Sequence, residues 1–146
     1  MMAGIAFAIF VVLTSIAAIH VAWGVGVRWP RRTELDLVST VVGYERNRMP
    51  PPNQCYLAAL AIYIPGIIAL MLAGLIDVAI PASFVMFAGI VAALVFAGRG
   101  IAGYTSAWRA HFPREPFASL DRRYYSPLCL VLAAGFALLL FHGSGN

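Results

Sequence analysis

The sequence predicts an all-α fold, a four-helix bundle set in a membrane, and three observations carry that prediction. Of its 146 residues, 62% are hydrophobic and 11% charged, and the mean hydropathy of +0.85 lies outside the range of soluble domains. Four apolar runs, the fourth somewhat short, approach or exceed the ~20-residue helix that crosses roughly 30 Å of hydrocarbon. The basic residues, all ten of them arginine, fall only between runs one and two and between runs three and four. Two such linkers share one side of a four-helix topology, so the charge pattern supports the helix count independently. The length fits a single domain over residues 1–146.

The first span is read from Gly4 to Gly24. Met1 to Ala18 has no Lys or Arg, and its apolar run exceeds the about 7–15 residues of a signal-peptide core, so it is read as a mature helix. Arg28, Arg31, Arg32, Arg46 and Arg48 follow, and by the positive-inside rule this linker is cytoplasmic. Within it, Thr33 and Asp36 have capping-box-like spacing, and Leu35, Val38 and Val42 share a helical face. A short interfacial helix ending near Gly43 is expected there. Pro50-Pro51-Pro52 then forms a stiff extended segment, with Asn53 as the cap of the next helix.

The second span is read from Cys55 to Leu75 and contains Tyr63-Ile64-Pro65-Gly66, where proline is expected to kink the helix. A short outer hairpin with Asp77 leads to a third span from Ala79 to Gly98, with Gly89, Ala93 and Ala97 at the spacing that lets membrane helices approach closely. Gly98, Gly100 and Gly103 open the second cytoplasmic linker. Ile101, Tyr104, Trp108 and Phe112 fit one face of a helical extension along the membrane surface, with a solvated loop as the alternative. The fourth span is read from Ser126 to His142. In "RRYYSP", Arg122 and Arg123 hold the cytoplasmic surface, Tyr124 and Tyr125 suit the headgroup zone, Ser126 caps the helix and Pro127 fills its first turn. Both termini then lie outside.

Composition excludes several functions. The arginines are interleaved with Glu34, Asp36, Glu45, Glu115 and Asp121, which suits an anionic leaflet and not nucleic acid. No zinc-protease, phosphate-loop or serine-hydrolase signature is present. His20 is the ionisable group inside a span and therefore a candidate for binding or proton transfer, with a hydrogen bond to a neighbouring carbonyl or to Tyr63 as its structural alternative. Trp23 shares its face as an interface anchor. Cys55 and Cys129 enter from the same side near His20, but small buried thiols are the simpler reading and no metal site is assigned. His111 and His142 lie at the wrong depths to complete a haem. The sequence names no cofactor.

The stretch "FASLDRRYYSPLCLVLAAG" resembles the end of a family of small bacterial membrane proteins known as a domain of unknown function. The match falls on Phe117, Ala118, Leu120, Asp121, Tyr125, Ser126, Pro127, Leu128, Cys129 and Leu130. His20, Trp23, Gly24 and Gly26 match the end of the family's first helix. Relatives carry a Gly-Asp-aromatic element after the third helix, where this chain has Gly103-Tyr104-Thr105 without the acid. The resemblance implies a four-helix protein of the bacterial cytoplasmic membrane. It also implies that the two segments meet, His20 near Tyr125, Ser126 or Cys129, and Asp121 paired with Arg99 or Arg123.

The expected site is therefore His20, Trp23, Tyr63, Arg99, Asp121, Tyr125, Ser126 and Cys129. The leading functional expectation is a non-catalytic protein that binds a hydrophobic molecule such as a lipid, quinone or isoprenoid, or that packs as an accessory subunit in a membrane complex. A membrane enzyme with His20 as acid or base, and a small transporter or channel, are the alternatives. Expected partners are the bilayer, a bound lipid or isoprenoid, and other membrane subunits or a second copy.

Overall fold

Apolar helices of 21 or more residues dominate the computed structural model, which describes residues 1–143. Helix α1 is Met2–Gly24, α2 Glu34–Val41, α3 Pro52–Leu72, α4 Ala82–Ala102, α5 Ser106–His111 and α6 Phe117–Leu120; a π turn over Asp121–Tyr125 then runs into α7, Ser126–Gly143. No strand occurs among the described residues. Four stretches are long and apolar enough to cross a membrane: Met2–Gly24, Pro52–Leu72, Ala82–Ala102 and Phe117–His142. At ~1.5 Å per residue each spans the hydrocarbon layer.

The core lies where the four long helices meet. Ala6, Ile9 and Leu13 of α1 face Ala69 and Leu70 of α3, Ala92 of α4, and Leu132, Phe136 and Leu139 of α7. The recurrence every three or four residues is one helical face. Phe136 is wholly buried, and its ring stacks on Phe96 with centroids 6.0 Å apart. Small residues set the approach distances, since a Cβ on Gly89 would stand 2.7 Å from Leu72 Cδ1 and one on Gly135 2.9 Å from Ile9 Cδ1. On α4 the buried residues are Gly89, Ala92 and Gly100, and Ala93 is partly buried against the core. Phe84, Phe87, Leu94 and Val131, each about two-thirds exposed, turn outward, as a lipid-facing surface requires and an aqueous one does not tolerate.

Helix boundaries depart from the hydropathy reading for identifiable reasons. Helix α3 begins three residues early, at Pro52, with Pro51 as the N-cap and no side-chain cap; Asn53 is already inside the helix, because proline fits a first turn whose N–H groups lack helical partners. It ends at Leu72, not Leu75. Gly74 adopts φ +67°, and the Leu75 N–H donates to Leu70 O at 3.0 Å while the Gly74 N–H donates to Met71 O at 3.0 Å, the paired bonds of a Schellman stop. Helix α4 starts at Ala82 and continues through Gly98 and Gly100 to Ala102. Gly100 serves packing, since a Cβ there would meet Leu130 at 2.7 Å, whereas one on Gly98 would meet nothing within 4 Å.

Ser126 does not start the last helix. The chain is already helical from Phe117, and the Ser126 N–H reaches Asp121 O, five residues back. This wider turn inserts a residue just ahead of Pro127, whose ring would otherwise crowd the carbonyl four residues behind it. The short helix expected in the first linker is present as α2. Its Thr33 side chain accepts from the Asp36 N–H at 3.2 Å and donates to Asp36 Oδ2 at 2.6 Å. Leu37, Val38 and Thr40 form its buried face, whereas Leu35 is 54% exposed.

Candidate functional site

The polar residues at the arginine-bearing end form two separate clusters. The first is centred on Asp121, which has no exposed surface. Arg99, in the last turn of α4, donates to Asp121 Oδ1 at 2.5 Å. Arg109 of α5 donates to Oδ2, and Trp108 Nε1 donates to the same oxygen at 3.0 Å. The Ser126 hydroxyl, itself buried, donates to Oδ1 at 3.4 Å and accepts from Arg99 at 3.4 Å. Arg99 also stacks over the Trp108 ring, 4.4 Å from its centroid, so one carboxylate ties α4, α5 and the π turn together. Gly103 makes this possible, because a Cβ there would lie 1.7 Å from Ser126 Oγ.

A chain of contacts leads from this cluster to α2. The Tyr125 hydroxyl donates to Thr40 O at 3.3 Å. Thr40 Oγ1 accepts from Arg31 Nε at 2.9 Å and donates to Asp36 O at 2.7 Å. Beside it, the Arg114 N–H donates to Gly43 O at 3.2 Å, the Arg114 guanidinium donates to Arg46 O, and the Phe117 ring occupies the space that a side chain at Gly43 would need. The two arginine-bearing linkers are thereby joined.

The second cluster is a recess of about 260 Å³ between the ends of α1 and α3, bordered by Val41 at the end of α2 and by Val42, Met49 and Pro50 after it. His20, Gln54 and Cys55 supply its polar groups; Trp23, Val41, Val42, Met49, Pro50 and Ala58 supply the rest. His20 Nδ1 stands 2.8 Å from Ile16 O. A carbonyl only accepts, so Nδ1 carries the hydrogen and Nε2 is the ring nitrogen left for other partners. The imidazole packs on Trp23 with centroids 4.8 Å apart, and Trp23 Nε1 donates to Trp29 O at 2.8 Å.

Of the expected site residues, Arg99, Asp121 and Ser126 are brought together, with Cys129 within electrostatic reach of Arg99 and Asp121. His20 and Trp23 line the recess instead, which includes none of Tyr125, Ser126 and Cys129. Tyr63 lies elsewhere, in an apolar groove of about 360 Å³ between α1 and α3, its ring 6.2 Å from Phe10. Arg99 is the partner of Asp121 as expected. Arg123 is not, and lies over the Tyr124 ring. Sequence reasoning put Trp108 on a surface helix but missed its indole and Arg109 as partners of Asp121, a meeting set by tertiary contacts and not by local periodicity.

The family described as "Protein of unknown function (DUF3995)" matches residues 13–136. The chain belongs to this family. The match takes in both clusters of the DUF3995 chain, from the recess on α1 and α3 to the Asp121 cluster. No curated protein and no solved structure matches it.

Proposed function

We propose that the chain is a non-catalytic membrane protein holding one amphipathic, lipid-like molecule, with the head in the recess beside His20 and the tail running along α1 and α3. The recess carries this reading. Its wall is apolar, its polar groups are few, and it opens at the ends of two membrane helices, where the headgroup region lies. Trp23 suits that depth. The volume of about 260 Å³ is slightly below the ~300–1,000 Å³ of pockets that enclose whole small molecules, which suits a head and not a complete lipid.

Saturation of Asp121 favours binding over catalysis. Four donors occupy the two oxygens of that carboxylate, so it serves as a fastening and is not free to take a proton from a substrate. His20 has no acid beside it in the recess. The arginine asymmetry supports placing this end of the bundle in the cytoplasm, both termini outside, in the cytoplasmic membrane of a bacterial cell.

The test is native mass spectrometry of the full chain, purified in mild detergent from its host. One amphiphile per chain is expected, and Ala58→Phe, which fills the recess, should remove it while circular dichroism stays unchanged. An adduct retained at full occupancy by a folded Ala58→Phe would place the molecule elsewhere.

A further inference from the structure

We infer that the head of this amphiphile is a single uncharged hydroxyl that donates its hydrogen to His20 Nε2, so that the ligand is a lipid alcohol. The inference rests on the recess being the amphiphile site and specifies the chemistry of its ligand. His20 lines the recess and is half-buried. Its Nδ1 is committed to Ile16 O at 2.8 Å, and the tautomer which that bond requires leaves a lone pair on Nε2. Nε2 has no partner among the described residues. It is an acceptor, so only a donor satisfies it.

The donors around it are already used. Trp23 Nε1 donates to Trp29 O at 2.8 Å, the Cys55 thiol to Pro50 O at 3.7 Å, and the Met49 N–H to Glu34 Oε1 at 2.9 Å. The Cys55 N–H closes the first turn of α3 on Pro51 O at 3.3 Å. Gln54 is exposed, so water serves its amide at the rim. A head that enters the recess displaces the water that would otherwise meet Nε2, and it must bring a donor or leave that nitrogen unsatisfied.

Charge narrows the choice further. No arginine, aspartate or glutamate lines the recess. An ammonium head would donate to Nε2 but find no carboxylate, and burying its charge unpaired is costly. A carboxylate or phosphate would set its own lone pairs against that of Nε2, with no cation in the lining. A quinone or an amide brings a carbonyl for which the wall has no free donor. A hydroxyl is the neutral head that donates without adding a carbonyl.

The experiment uses the full chain, stripped of lipid in mild detergent and titrated by native mass spectrometry. The probes are geranylgeraniol and oleyl alcohol, which carry the hydroxyl on an isoprenoid and a straight tail, the methyl ether of each, and oleate. One alcohol per chain is expected to bind, with its methyl ether and oleate about tenfold weaker or worse, the effect of one hydrogen bond whose buried acceptor is otherwise left unmade. The alcohol that binds more tightly identifies the tail. His20→Phe keeps a ring beside Trp23 but has no acceptor. It should weaken the alcohol about tenfold and leave the ether unchanged, so that the preference disappears. A fall of both probes together would make His20 a packing residue and overturn the inference. Ether or oleate bound by the unaltered chain as tightly as the alcohol, and lost in Ala58→Phe, would overturn the hydroxyl head while leaving the recess as the amphiphile site. Alcohol binding undiminished in a folded Ala58→Phe would overturn both. Binding of neither alcohol would overturn the inference, and the native adduct with its response to Ala58→Phe decides the recess separately.

Discussion

Asp121 is the buried acid of this chain, and its surroundings explain why it is tolerated. Two guanidiniums, an indole N–H and a hydroxyl share its oxygens. Removing one member of a buried pair leaves the other charges uncompensated, which costs about 3–5 kcal/mol when burial is complete. Arg99 and Arg109 keep 28% and 25% of their side-chain surface exposed, so the lower end applies. Asp121→Asn is expected to lose about 3 kcal/mol in denaturant unfolding of the detergent-solubilised protein. Arg123→Gln should stay within about 0.5 kcal/mol. Gly103→Ala would force a methyl group against Ser126 and should cost about 1–3 kcal/mol. Ser126→Gly in the same chain should recover part of that loss, a coupling that distant sites do not show.

At the scale of elements, α2 matters because it borders the recess and has little of its own to hold it. It is eight residues long, too short for a stable isolated helix, so its position depends on the Thr33 cap, on Tyr125 and on the Gly43 to Phe117 contact. Tyr125→Phe removes the hydrogen bond to Thr40 O and should speed amide hydrogen exchange across α2 while leaving α1 and α3 protected. Thr33→Ala should act in the same direction, through about 1 kcal/mol of lost capping. The sequence made α2 legible because a cap and its partner three residues on are a local signal. The continuous α6, π turn and α7 were not legible. Ser126-Pro127 has the local form of a helix start, and only tertiary contacts of Ser126 with Asp121 and Gly103 reveal that the helix passes through it. For the same reason the recess was half visible: His20 and Trp23 stood out as polar and interfacial residues in a span, but their partners come from a linker whose path is set by contacts far along the chain.

As a whole molecule, the chain has an apolar belt and one arginine-bearing end. Composition fixes both, which is why the helix count and the membrane setting were legible while the pairing of Arg109 with Asp121 was not. Cysteine variants should report the orientation in intact cells: Asp77→Cys labelled by a membrane-impermeant maleimide, and Arg48→Cys labelled only after permeabilisation. The exposed faces of α4 and α7, carrying Phe84, Phe87, Leu94 and Val131, offer lipid a far larger surface than the recess, so the central question is whether one molecule is held in preference to the rest. A photoactivatable lipid alcohol, crosslinked to the full chain in nanodiscs and mapped by peptide mass spectrometry, answers it directly. Crosslinks should concentrate on residues 20–23 and 41–58 and fall several-fold in Ala58→Phe. Crosslinks spread along the outer face of α4, and unaltered by Ala58→Phe, would contradict the recess as a binding site.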